Sequence, residues 1–260
     1  MSTPSPLRAT EYFARAYLRT WRGSIVTTFL NPVLYLAAMG VGLGSFVDHG
    51  GRAGAALGHV SYLHFVAPAL LAVTAMQTAA TEATFPVMGA IKWNKTYSAM
   101  LATPLRVDDL LVGHLLWIGA RILTAVTAYL AVLVAFGAAG SWEALATIPA
   151  GLLTGMAFAV PLVAFSATQD NDATFNLVFR FALIPLFLFS ATFFPLDQLP
   201  VVLRSVAYIT PLWHGVDLCR SLTLGTADAA RIGLHVAYLS AIAAAGFLAA
   251  RVTYRRRLRT

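Results

Sequence analysis

Residues 110–136 read LLVGHLLWIGARILTAVTAYLAVLVAF, and within this run Arg121 is the one Lys, Arg, Asp or Glu. A helix that crosses a bilayer needs about 20 mostly apolar residues, because the hydrocarbon core is about 30 Å thick. The run is long enough. It also lacks the strict apolar–polar alternation of a barrel strand, so it reads as a helix in lipid. Five further stretches meet the same criterion: residues 24–46, 60–81, 147–168, 174–196 and 232–250. Each carries Gly or Pro or is rich in Ala, which suits close packing of helices in a membrane. The predicted fold class is therefore an all-α integral membrane protein with six transmembrane helices.

Composition agrees. Of 260 residues, 58% are hydrophobic and 11% charged, whereas a soluble globular domain carries roughly 25% charged residues. That rules against a soluble enzyme, and the high hydrophobicity rules against a disordered chain. One cysteine, Cys219, leaves neither an internal disulfide nor a cysteine-based zinc site. The net charge of +7 would suit nucleic acid only if the basic residues formed a face on a soluble module. Sorting the 18 basic residues by loop gives a different answer. With a cytoplasmic N-terminus, thirteen fall on the cytoplasmic side (Arg8 to Arg22, Lys92, Lys95, Arg106, Arg180 and Arg251 to Arg259). Four (Arg52, Arg204, Arg220, Arg231) fall outside, and Arg121 within a span. This bias places both termini in the cytoplasm and makes nucleic acid unnecessary. The first span is too long for the apolar core of a cleavable signal peptide.

The segments outside the spans divide the chain. Residues 1–23 form a basic amphipathic interface helix, with Arg15, Arg19 and Trp21 at the cytoplasmic leaflet. Residues 24–250 are the transmembrane domain, and 251–260 a basic cytoplasmic tail. Residues 197–231 hold two short outer helices before the last span. Residues 84–106, TFPVMGAIKWNKTYSAMLATPLR, are the longest cytoplasmic connection. From Lys92 to Ala102 nothing breaks a helix, and Trp93, Tyr97, Met100 and Leu101 share one face. Thr103-Pro104 ends it, and Asp108 and Asp109 stand where they can cap the third span. Such a helix either floats on headgroups or offers an aromatic knob to a partner's groove.

At these residues the chain resembles a known family. The segments KTYSAMLATPLRVDDLLVGHLLW, FSATFFPLDQLP and TPLWHGVDLCRSLTLG are similar, in order and spacing, to permeases of the ABC-2 type. The nearest are the nodulation-type lipo-oligosaccharide exporters and the daunorubicin-resistance permeases. Ser98 departs from the acidic residue expected after the Thr-Tyr pair. The resemblance implies a permease subunit of an ATP-driven exporter in the bacterial plasma membrane, paired with a second permease copy or a related chain and in contact with membrane lipid. A separate ABC ATPase subunit would dock on Lys92, Trp93, Lys95, Thr96, Tyr97 and Met100 and on the N-terminal helix. ATP and Mg would be held by that partner. The sequence itself has no G-x-x-x-x-G-K-S/T loop to cradle phosphates, since Lys95 follows Asn94. No cofactor or metal site is expected on this chain: His59 and His64 lack an acidic partner at ligand spacing.

The few charges near the bilayer have two readings each. Arg121 either faces the pathway, where it would meet an anionic headgroup, or snorkels to the interface. It lies twelve residues past Asp109, about 18 Å along a helix. Asp217 and Arg220 on the outer short helix form either an outer gate or a local ion pair. Pro32 and the glycines at 40, 42 and 44, with Pro185, mark either a movable dimer seam or ordinary packing. An intramembrane enzyme would need a nucleophile and base at one depth, and an ion-coupled transporter acidic residues at mid-span. Neither is present, so both rank behind a permease.

Overall fold

The computed structural model describes residues 6–19, 21–49 and 60–258. Arg52, His59 and Arg259 lie outside them. The helices run, in order, α1 (Pro6–Tyr17), α2 (Trp21–Asp48), α3 (Tyr62–Trp93), α4 (Thr96–Leu101) and α5 (Val107–Ala135), then α6 (Trp142–Ser166), α7 (Ala173–Phe189), α8 (Val201–Ile209), α9 (Pro211–Leu224) and α10 (Ala229–Leu258). No strand occurs among the described residues. Five of these helices, α2, α3, α5, α6 and α10, are long and apolar enough to cross a membrane. The chain is an all-helical, multi-pass membrane protein.

The stretch expected to be a fifth span, residues 174–196, is not one continuous helix. Its apolar helix α7 stops at Phe189, and its 17 residues rise about 25 Å, short of a full hydrocarbon core. Beyond it the chain bends through Ser190 and Ala191, whose φ of 59° is left-handed and costly for a residue with a Cβ. Arg220 compensates by donating to the Ala191 carbonyl at 2.7 Å. Pro195 then opens a single 3-10 turn, Leu196–Gln198, rather than continuing α7.

A second correction concerns the connection 84–106. The helix of the second span does not end at Thr81 but continues, with a bend at Thr84, to Trp93. Asn94 and Lys95 then interrupt it, Lys95 adopting φ 49°, and α4 begins only at Thr96. One left-handed residue resets the helical phase. Trp93 therefore does not share a face with Tyr97 and Met100.

α3 is the centre of the bundle: Val66, Ala67, Leu71, Ala75, Ala79 and Ala83 are all fully buried. Small residues let its neighbours close in. A Cβ on Gly155 of α6 would stand 2.7 Å from the Ile122 side chain of α5 and 3.1 Å from the Ala75 carbonyl of α3. In lipid, where apolar side chains gain little by leaving the solvent, such backbone approach is what holds helices together.

α1 does not simply lie on a headgroup surface. It packs along α5 at Gly113, where a Cβ would meet the Pro6 carbonyl at 2.5 Å and Ala9 Cβ at 2.6 Å. Thr10 Oγ1 donates to the Gly113 carbonyl at 2.9 Å, Phe13 stacks on His114, and Tyr17 tilts against Trp117. The start of α5, the end of α3, α4, the turn after α6 and the end of α10 meet at one end of the bundle, as the ion pairs below show. Both described chain ends lie on that side.

Candidate functional site

The shared end carries most of the charge. Asp109 caps α5 as expected, accepting from the Arg106 amide at 3.2 Å. Asp108 does something else: it accepts from Arg251 at 3.0 Å and from Arg255, binding the start of α5 to the end of α10. Asp170, in the turn between α6 and α7, accepts from Arg257 at 2.7 Å and pairs with Lys92 at 3.2 Å. Hydrogen bonds from Arg257 and Lys92 hold its carboxyl below the ordinary range. Four elements are thereby tied together by two carboxylates.

Beneath this belt sits a buried trio. Tyr97 of α4, with no exposed surface, hydrogen-bonds through its hydroxyl with His114 Nδ1 of α5 and, at 3.2 Å, with the Tyr254 hydroxyl of α10. Burial raises the Tyr97 pKa well above its ordinary value, so the hydroxyl stays protonated. Met100 is buried beside it, while Trp93, Lys95 and Ser98 remain exposed. The short helix α4 thus turns its tyrosine inward and leaves Trp93 and Lys95 on the outer face.

Halfway along α5, Arg121 donates to Glu82 of α3 at 2.9 Å, with the two side chains 16% and 19% exposed. The Arg121 guanidinium also lies 4.3 Å from the centre of the Tyr17 ring. Both contacts offset the cost of a guanidinium in an apolar span, about 2.5–3.5 kcal/mol for a lone Arg at a helix centre. Beside the pair is a cleft of about 290 Å³ between α2, α3 and α5.

At the opposite end, α9 and α10 meet through two histidines. His214 Nε2 lies 3.1 Å from the Tyr208 carbonyl, and His235 Nε2 lies 2.9 Å from Asp217 Oδ2. The two Nδ1 atoms are 2.8 Å apart. The Tyr208 carbonyl and the Asp217 carboxylate are acceptors, and they orient the two rings toward each other. Burial opposes ionisation of Asp217, but the His235 bond and the charges of His235, Arg231 and Arg220 outweigh it and keep its pKa low. Tyr238 stacks on His214, and Arg220 donates to the Phe65 carbonyl of α3 at 3.1 Å as well as to Ala191.

Comparison with known proteins follows the same residues. Residues 10–224 match the family model described as ABC-2 type transporter. The chain belongs to the ABC-2 type transporter family. Nodulation protein J of Rhizobium leguminosarum bv. viciae is 31% identical over 243 residues, 94% of this chain and 91% of that protein. Nodulation protein J of Bradyrhizobium diazoefficiens is 31% identical over 256 residues, 96% and 93% of the two chains. The Rhizobium meliloti protein of the same name is 28% identical over 243 residues, 94% and 90%. No solved structure matches. The chain is accordingly a membrane transport subunit of the ABC-2 type.

Within this ABC-2 subunit the predicted site residues separate. Of the docking set, Tyr97 and Met100 point into the bundle, Thr96 is half-buried, and Lys92 is engaged by Asp170. Trp93 and Lys95 stay outward. Arg15 pairs with Glu11 at 2.5 Å on the exposed side of α1, Arg19 is exposed, and Trp21 opens α2 under the Arg22 guanidinium. Of the two alternatives for Asp217 and Arg220, the local i, i+3 salt bridge is not formed: Asp217 pairs with His235 and Arg231, and Arg220 donates to the Phe65 and Ala191 carbonyls. His114, Tyr254 and His235 escaped sequence reasoning. Each lies inside an apolar or basic run, and its partner is 17 to 157 residues away. No local pattern marks such a cluster.

Proposed function

We propose that this chain is the permease subunit of an ATP-driven exporter that moves an amphiphile across the bacterial plasma membrane. Lipid-linked saccharides, glycolipids and hydrophobic drugs are the candidate cargo. In this reading α7 is the fifth of six crossings, α8 and α9 lie at the outer face, and both chain ends are cytoplasmic. Two copies, or two related chains, line the pathway. A separate ATPase carries ATP and Mg and docks at the charged end.

One observation carries the coupling role: α4 is clamped by the Tyr97–His114–Tyr254 trio while Trp93 and Lys95 remain exposed beside it. A force applied at that surface passes into α5 and α10 rather than being lost in a loose loop. The thirteen-to-four basic bias supports the orientation. Purification of the tagged chain in mild detergent tests the reading. Recovery with a nucleotide-binding protein that has no spans is expected; recovery without one contradicts it.

A further inference from the structure

α3 carries a polar stripe in an otherwise apolar span. Thr74, Gln77, Thr78, Thr81 and Glu82 recur at helical spacing and face one side. On that side lies the open cleft of about 290 Å³, bounded also by Asn31 and Tyr35 of α2 and by Arg121 of α5. Gln77 and Thr81 form a ridge, because they also line a second cavity of about 260 Å³ whose other walls are Met76 and the α7 residues Phe179, Leu183, Ile184 and Phe187. A polar compartment and an apolar one thus share a wall, which suits a molecule with a polar head and an apolar chain.

The charges in the polar compartment decide which head. Arg121 alone would attract a phosphate or carboxylate. Paired with Glu82 at 2.9 Å, it leaves the compartment with one positive and one negative group. An entering anion would face the Glu82 carboxylate in a low-dielectric setting, where repulsion is strong. Hydroxyls and amides meet no such barrier, and Asn31, Gln77 and the threonines offer both donors and acceptors.

We propose that Glu82 is a specificity residue: by neutralising Arg121 it makes the cleft select uncharged, hydroxyl-rich headgroups and reject anionic ones, the apolar chain lying across the Gln77–Thr81 ridge. This rests on the transporter reading above. It differs from the reading of Arg121 as an anion contact, and places selection in the ion pair instead.

Native mass spectrometry of the purified full chain, in an uncharged polyoxyethylene detergent, tests it with two probes of equal chain length, dodecyl maltoside and dodecyl phosphate. The wild-type chain should bind the maltoside at least tenfold more tightly. Glu82→Gln, which removes the carboxylate beside Arg121, should reverse the order. The double variant Glu82→Gln/Arg121→Gln removes both charges and should restore preference for the sugar, which excludes a folding defect as the cause. Equal binding of the two probes to the wild type, or an unchanged ratio in Glu82→Gln, would overturn the proposal. Because no ATPase enters this measurement, its outcome is independent of the pull-down that tests the transporter reading.

Discussion

Tyr97 stands on the stripe that sequence periodicity picks out, yet it faces the opposite way from a docking knob. Within α4 itself Tyr97 and Met100 do share a buried face. The left-handed Lys95 separated Trp93 from them, and nothing in Asn94-Lys95 announces such a turn. Tyr97→Phe removes the hydroxyl shared by His114 and Tyr254 and should cost about 1 kcal/mol, lowering the Tm of the purified chain by about 2–4 °C. An unchanged Tm would show that the trio contributes nothing. Arg121 was legible as the one deep charge in residues 110–136. Its partner was not, because Glu82 is 39 residues away and ends an apolar run. In hydrocarbon only tertiary contact decides which carboxylate a guanidinium finds.

Among elements, the docking of α1 on α5 depends on the absence of a side chain at Gly113. Gly113→Val would thrust atoms into the Pro6 carbonyl and Ala9. α1 should detach while the long helices remain, seen as fast amide exchange confined to residues 6–17. Slow exchange there would contradict the packing. The junction of α9 and α10 responds to pH. Burial and the charge of His235 lower the pKa of His214 from its ordinary 6.5. Between the lowered value and 6.5 the unfolded chain binds more protons than the folded one, so this contribution to stability falls as pH drops through that window. The low pKa of Asp217 acts in the same direction at still lower pH, its stabilisation being lost as the carboxylate protonates. Amide exchange near residues 211–238 should therefore accelerate as pH falls below about 6, after correction for intrinsic rates, and His214→Asn should flatten the response. A pH-independent junction would contradict the assignment. The long spans were legible because about 20 apolar residues in a row have few other uses. The break in residues 174–196 was hidden, since FSATFF is as apolar as a span and its bend is held by Arg220 from another element.

The whole molecule has two polar ends of different character. One is a belt of ion pairs among α3, α5, the turn after α6 and α10; the other is a histidine pair and an arginine staple. The belt is partly exposed, so salt should weaken it. Asp170→Asn should loosen the contact between the ends of α3 and α10, measured as a wider distance between spin labels at 94 and 256; an unchanged distance would show that Asp170 is not a tie. Family membership and the helical class were readable from sequence, as was the place of the connection that holds α4. The rigid attachment of that connection was not, because Tyr254 is hidden among arginines. The most direct test of the coupling account is photo-crosslinking from position 93, with benzoylphenylalanine replacing Trp93 in intact membranes. The predicted result is an adduct with a nucleotide-binding subunit whose yield changes when ATP is supplied. Adducts with lipid alone, with or without ATP, would contradict the account.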